Sequence, residues 1–157
     1  MNNCSFLDAV KLFFTRAFDF KGRSRRKEFW YIYLINLILS LPLIVGTIWL
    51  SATTMSMMND PAALEGTLSS NETFFEFYGI YSGFMMIYGL ITFIPSLSLT
   101  VRRLHDTNHH WYFMLINLLA IIPLVGWIAT IYFLMVLAED GDQNTNEWGP
   151  SPKYIAE

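Results

Sequence analysis

Lys21, Arg23, Arg25, Arg26 and Lys27 put five cations into seven positions, and Arg102 with Arg103 makes a second, shorter basic cluster. Groups of this kind can hold anionic headgroups beside a membrane, at about 1 kcal/mol per basic residue. Their plainer role is to fix the side of the membrane on which they stay. Glu28 follows the first cluster at the lip of a hydrophobic run and is the candidate ion-pair partner of Arg102 or Arg103, because an isolated carboxylate is costly there. His105 and His109 are four apart; on one helix they would share a face and could begin a metal site. A third ligand would have to come from elsewhere, so ordinary interfacial histidines are expected and no metal. Asp140-Gly-Asp142-Gln-Asn144-Thr-Asn146 imitates the opening of a calcium loop, yet Thr145 stands where that loop needs Gly and Ser151 where it needs Glu. There is no Gly-rich phosphate loop, no Ser-His-Asp order and no cysteine nucleophile. These absences argue against an enzyme and give no ground for a cofactor.

The elements that must position these residues are marked by where charge is missing. No Asp, Glu, Lys or Arg occurs in the 31 residues from Phe29 to Asn59, the 25 from Phe77 to Val101, or the 32 from Thr107 to Ala138. A hydrocarbon core of about 30 Å is crossed by roughly 20 apolar residues, so each stretch is long enough. Soluble helices keep one wet face and seldom run so far without charge. The chain is 54% hydrophobic and 15% charged, against about 45–50% and about 25% in soluble domains. With 157 residues and a net charge of −3 it is one domain and no nucleic-acid binder. The single cysteine, Cys4, excludes an internal disulfide.

The expected fold is therefore all-α: a polytopic transmembrane helical bundle with spans at about 29–52, 77–101 and 111–138. Trp30 and Trp49 lie about 28 Å apart along a helix, suited to the two interfaces of the first span. That run is too long for a signal-peptide core and ends in no small-residue cleavage site, so it is expected to remain as an anchor. Residues 5–18 read as an amphipathic interfacial helix, with Phe6, Val10, Phe13, Phe14, Ala17 and Phe18 on one stripe and Ser5 with Asp8 as a capping box. Ser24 is a candidate N-cap for the first span. Pro123 and Gly126 interrupt the third stretch, which reads either as one kinked span or as a broken hairpin, with the hairpin favoured. The tail, 139–157, is polar and extended.

Seven Lys and Arg lie in residues 1–28, none in the acidic loop 59–76, and two in the turn 102–106. Basic loops stay cytoplasmic, which puts the N-terminus inside, the acidic loop outside and the Arg102-Arg103 turn inside again. Within the spans, Asn36 and Asn117 can hydrogen-bond between helices, and Gly79 with Gly83 forms a GxxxG pair for close helix approach. No ionisable residue lies deep in a span, which speaks against a pump or proton-coupled carrier.

Three motifs in combination resemble one family: Phe20-Lys-Gly-Arg23-Ser-Arg-Arg26-Lys-Glu28-Phe-Trp30, then Arg102-Arg103-Leu-His105-Asp106, then Asn146-Glu-Trp-Gly149-Pro150-Ser-Pro152. The chain, over roughly residues 8–153, is similar to the domain-of-unknown-function 805 family of small bacterial inner-membrane proteins. Ile122-Pro-Leu-Val-Gly-Trp127 also fits that pattern. His109-His110 and Glu147 depart from it, since the family usually has a Ser-Gly step and a basic residue at those places. The resemblance implies a bacterial inner-membrane location and assigns no catalytic residue. Two functions follow as expectations. One is a non-enzymatic module whose basic cytoplasmic face, Arg23, Arg26, Arg102 and Arg103, engages membrane lipid or a membrane protein partner. The alternative is a small transporter or channel component, a homo-oligomer through the Gly79/Gly83 face.

Overall fold

In the computed structural model, residues 5–59 and 72–152 are described. Cys4, the acidic-loop residues Asp60 and Glu65, and Lys153 and Glu157 of the tail lie outside the described residues. The described chain is all helix and connecting segment: α1 (Phe6–Thr15), α2 (Arg26–Asn59), α3 (Glu72–Asp106), a 3₁₀ helix η1 (Trp111–Ile121) and α4 (Val125–Ala138).

Helix α1 opens at Ser5, whose backbone N–H donates to Asp8 Oδ2 at 3.0 Å, satisfying one donor ahead of the first turn. Its apolar residues split between two faces instead of sharing one stripe. Ala9, Phe13 and the following Ala17 are buried, while Leu7, Phe14 and Phe18 are exposed. The reason is the 3.6-residue period, which puts neighbours such as Phe13 and Phe14 about 100° apart around the axis. Lys11 falls on the outward stripe with Leu7, Phe14 and Phe18. The helix stops at Thr15, and Arg16–Phe18 form a turn.

Helices α2 and α3, of 34 and 35 residues, are each long and apolar enough to cross a membrane. Only 11% and 28% of their most apolar windows are buried inside the protein, whereas the core helix of a soluble domain would be covered by its own fold. Ser24 does not cap α2: the helix begins two residues later, and the Ser24 hydroxyl donates instead to Glu28 Oε2 at 2.8 Å.

The charge-free stretch after α3 forms two elements that pack against each other. η1 ends at Ile121, the chain turns through Pro123 and Leu124 (φ 68°), and α4 follows. Ile121, Leu124 and Trp127 around this turn are exposed.

The chain divides into two compact units. In Leu34–Thr92, the Tyr88 hydroxyl donates to Asn36 Oδ1 at 2.9 Å, and the Trp49 ring lies 4.3 Å from that of Phe74. Among the described residues, the glycine that permits close approach in this unit is Gly46, where a Cβ would come within 2.5 Å of the Tyr78 ring. Gly79 and Gly83 are exposed, with open space where a Cβ would stand. The other unit, Met1–Tyr33 with Phe93–Glu157, holds the arginines.

Candidate functional site: an arginine–aspartate node

Helix α3 delivers Arg102, Arg103, His105 and Asp106 on its last turn and a half and then stops. Asn108 takes the left-handed conformation (φ 61°), the Asn108 N–H donates to the His105 carbonyl, and the His109 N–H reaches back to the Leu104 carbonyl at 2.8 Å. This paired closure is the usual way a helix satisfies its last carbonyls, and Asn tolerates the required φ. It also removes the basis for a His105/His109 metal pair. His109 lies beyond the helix end, with its ring 4.9 Å from Phe113, and His105 stacks on Trp148. Among the described residues no group of His, Cys, Asp and Glu is placed to hold a metal.

Asp106 is the centre of the site. Its Oδ1 accepts from Arg23 Nε at 2.9 Å, and its Oδ2 accepts from Arg103 Nη1. Arg23 and Arg103 are respectively 4% and 0% exposed, so neither charge is solvated by bulk water. Burial of this kind is tolerable only where each guanidinium finds acceptors. Arg23 spends its remaining donors on the tail: Nη1 on the Asn144 and Gly149 carbonyls at 2.8 and 3.2 Å, and Nη2 on the Asp142 carbonyl. Arg103 directs Nε to the Leu137 carbonyl at 2.9 Å and Nη2 to the Glu139 carbonyl. These are the open carbonyls at the end of α4, where a cation is also favoured by the helix dipole.

The tail is fixed from both sides. The Asp142 N–H donates to the Asp106 carbonyl at 2.8 Å, and Asn146 Nδ2 donates to the His105 carbonyl at 2.9 Å. Trp148 lies flat on the His105 ring, centroids 4.5 Å apart and planes 7° from parallel. Asn146 and Gly149 exchange backbone hydrogen bonds, and this tight turn presents Trp148 and the Gly149 carbonyl to the node.

Glu28 is the partner expected for Arg102 or Arg103; the carboxylate Arg103 meets is Asp106, while Glu28 is a charged neighbour of Arg102 without a hydrogen bond to it. Glu28 is buried with Ser24 as its hydrogen-bonding neighbour. Arg102 is 0% exposed, and none of its three side-chain nitrogens has a hydrogen-bond partner among the described residues. Of the remaining basic residues, Arg26 is exposed and bonded to Asp140 at 2.6 Å, Arg25 is half-buried and engaged, and Lys21 and Lys27 are exposed. Asn117 sits half-buried on η1. Arg23 and Arg103 thus form a closed node with Asp106, because the tail and the end of α4 supply acceptors that the side-chain pattern did not reveal. The residues missed were Asp106 as hub, Trp148, and Gly141, which lies so close to the Asp106 carboxylate that a Cβ there would overlap it. The signal for the hub was the i,i+3 spacing of Arg103 and Asp106 at a helix end.

Residues 17–150 match the model of a family described as protein of unknown function (DUF805). The chain is 32% identical over 135 residues to inner membrane protein YhaH of Escherichia coli strain K12, covering 85% of this chain and 87% of the relative. It is likewise 32% identical over 135 residues to inner membrane protein YhaI of the same strain, covering 86% of each. No solved structure matches it.

Proposed function

We propose that this chain, which belongs to the DUF805 family of proteins of unknown function, is a non-enzymatic inner-membrane module that engages anionic lipid headgroups through a cytoplasmic cap. Its cap comprises α1 and the collar from Lys21 to Lys27, held together by the arginine–aspartate node. One observation carries this reading: α1 buries Ala9 and Phe13 yet turns Leu7, Lys11 and Phe14 outward, with Phe18 exposed in the turn that follows, just ahead of exposed Lys21 and Lys27. A helix with an apolar outer stripe and a flanking cation suits the headgroup plane, the lysine stem lying along the apolar surface with its ammonium at phosphate level.

Of the residues expected to bind headgroups, Arg23, Arg25, Arg26, Lys27, Arg102 and Arg103, the exposed Arg26 and Lys27 serve here together with exposed Lys21, while Arg23 and Arg103 are spent on the node. Removing two lysines should weaken headgroup attraction by about 2 kcal/mol, or roughly thirtyfold. In nanodiscs of mixed phosphatidylcholine and phosphatidylglycerol, a Lys21→Ala/Lys27→Ala variant should lose most of its phosphatidylglycerol enrichment, measured by mass spectrometry of lipids retained with the protein. Unchanged enrichment would defeat the proposal.

Helices α2 and α3 serve as full spans. The η1–α4 hairpin enters the bilayer and returns without crossing it. Its 11 residues of 3₁₀ helix reach about 22 Å and its 14 of α-helix about 21 Å, short of a core of about 30 Å. The tail that follows supplies carbonyls to Arg23, so it shares the cytoplasmic side with the N-terminus. A fluorophore that matures only in the cytoplasm should be bright when fused to the C-terminus, and alkaline phosphatase inactive there. The reverse pair of results would place the tail outside.

A second reading is a small transport or channel component, oligomeric through Gly79 and Gly83. It is favoured by one observation, the open exposed space beside both glycines. Solute flux in lipid-matched liposomes, without retained phosphatidylglycerol, would select it.

A further inference from the structure

Among the described residues, Arg102 is the one side chain of the node region that the fold buries without giving it an acceptor. It is 0% exposed, and its Nε, Nη1 and Nη2 have no hydrogen-bond partner among the described residues. A guanidinium does not escape this cost by losing its proton, and a buried charge left unpaired is among the most destabilising arrangements a fold can hold.

The surroundings are specific. Residues 16–24 are strapped over this part of α3. Ser98, one turn before Arg102, donates its hydroxyl to the Arg16 and Asp19 carbonyls at 3.0 and 2.6 Å, and the Ser24 N–H donates to the Arg102 carbonyl at 3.1 Å. The charged neighbours of the guanidinium are Arg16, Asp19 and Glu28. Both carboxylates already have hydrogen-bonding partners. Asp19 accepts from Arg16 Nη2 at 2.6 Å and Nε at 3.0 Å, and Glu28 accepts from Ser24. Arg16 holds the Asp19 carboxyl below its ordinary range, which keeps that carboxylate ionised and committed to Arg16. The strap is light: Arg16 and Asp19 are part-exposed, and Phe18, Phe20 and Lys21 between and beside them face outward.

We propose that Arg102 is a discrete phosphate-binding residue, taking one phosphate group beneath the 16–24 strap, supplied by the headgroup of an anionic phospholipid. A phosphate offers the oxygens to which a guanidinium binds bidentately, the strongest pairing open to it. It enters from the side of part-exposed Arg16 and exposed Lys21, and it supplies the anion that the two engaged carboxylates do not. This deepens the headgroup-binding reading above and moves its tightest contact from the outer lysines to one buried guanidinium.

The test uses the full-length protein in uncharged detergent. Short-chain phosphatidylglycerol should raise the wild-type Tm by several degrees at concentrations where short-chain phosphatidylcholine does not. Inorganic phosphate should act only at far higher concentration. If inorganic phosphate matches phosphatidylglycerol, the source is free phosphate and the lipid assignment is overturned. If neither moves the Tm, the site itself is overturned. Arg102→Met should abolish the phosphatidylglycerol shift and reduce co-purified phosphatidylglycerol at least tenfold. Should Arg102→Met instead raise the Tm and leave co-purified lipid unchanged, Arg102 is a buried charge served by bridging water and the proposal fails. Arg102→Lys, which keeps the charge and loses the fork, should retain part of the shift; a full shift would deny bidentate binding. Lys27→Ala, an exposed position outside the strap, separates the two readings, because it should lower bulk enrichment while leaving the one tightly held lipid and its Tm shift in place.

Discussion

Replacing Asp106 by alanine should cost about 3–5 kcal/mol of stability, the range for removing one partner of a buried ion pair. The effect is large because two cations depend on one carboxylate. Arg23 and Arg103 have side chains 1% and 0% exposed, and both are bonded to Asp106. Without it they face each other as unscreened like charges, and the carbonyls of Asp142, Asn144 and Glu139 offset only part of that loss. Asp106→Asn should cost less, since an amide oxygen can still accept from one arginine. The decisive comparison is Asp106→Ala combined with Arg23→Met. The second change removes one of the orphaned cations, so the double variant should lose clearly less than the sum of the two singles. Thermal unfolding in detergent, followed by near-ultraviolet circular dichroism, gives all four values. Additive losses, or a loss below about 1 kcal/mol for Asp106→Ala, would mean that the arginines are held by the tail carbonyls alone.

How much of this was legible in the sequence differs from element to element, for physical reasons. Absence of charge is a property of the chain itself, so the stretches beginning at Phe29 and Phe77 already outlined the long apolar helices α2 and α3. The stretch from Thr107 to Ala138 was equally free of charge but could not reveal its division into η1 and α4 as firmly. Pro123 and Gly126 mark a weak point in a helix, whereas the turn is made by Leu124 at φ 68°, a conformation no residue pattern announces for leucine. The arginines were visible as clusters, yet their acceptors were not. A side-chain reading searches for carboxylates, and it chose Glu28, close to the cluster in sequence. The actual hub is Asp106, 83 residues from Arg23, and most other acceptors are main-chain carbonyls whose direction depends on the completed fold. The segment from Asp140 to Asn146 illustrates the same point. Its alternating acids and amides imitate a calcium loop, but what it contributes to the node is backbone: carbonyls of Asp142 and Asn144 for Arg23, and the Asp142 N–H for Asp106. Burial decided the rest. The outward stripe of α1 and the orphaned Arg102 follow from which faces are covered, and residue type alone carries no such information.

Gly141→Ala should cost about 3 kcal/mol, the upper part of the range for overpacking. Gly141 sits against the Asp106 carboxylate so closely that a Cβ there would overlap both oxygens. Ordinarily the crowded neighbour would swing aside. Asp106 has no such freedom, because its oxygens are bonded to Arg23 and Arg103 and its carbonyl to the Asp142 N–H at 2.8 Å. The tail must therefore lift. As it lifts, Arg23 loses the Asp142, Asn144 and Gly149 carbonyls together, and Trp148 leaves the His105 ring. One methyl group is thus converted into the loss of a whole docking surface, and limited proteolysis beyond Glu139 should accelerate at least tenfold. Gly83→Ala is the matched control. It adds the same methyl inside α3 where nothing lies within 4 Å, and in a helix interior that exchange is favourable by up to about 1 kcal/mol. The two variants should therefore move the Tm in opposite directions. If Gly141→Ala leaves the Tm and the protease resistance of the tail as they were, the tail does not lie on Asp106, and the closed node loses the acceptors that make its buried arginines tolerable.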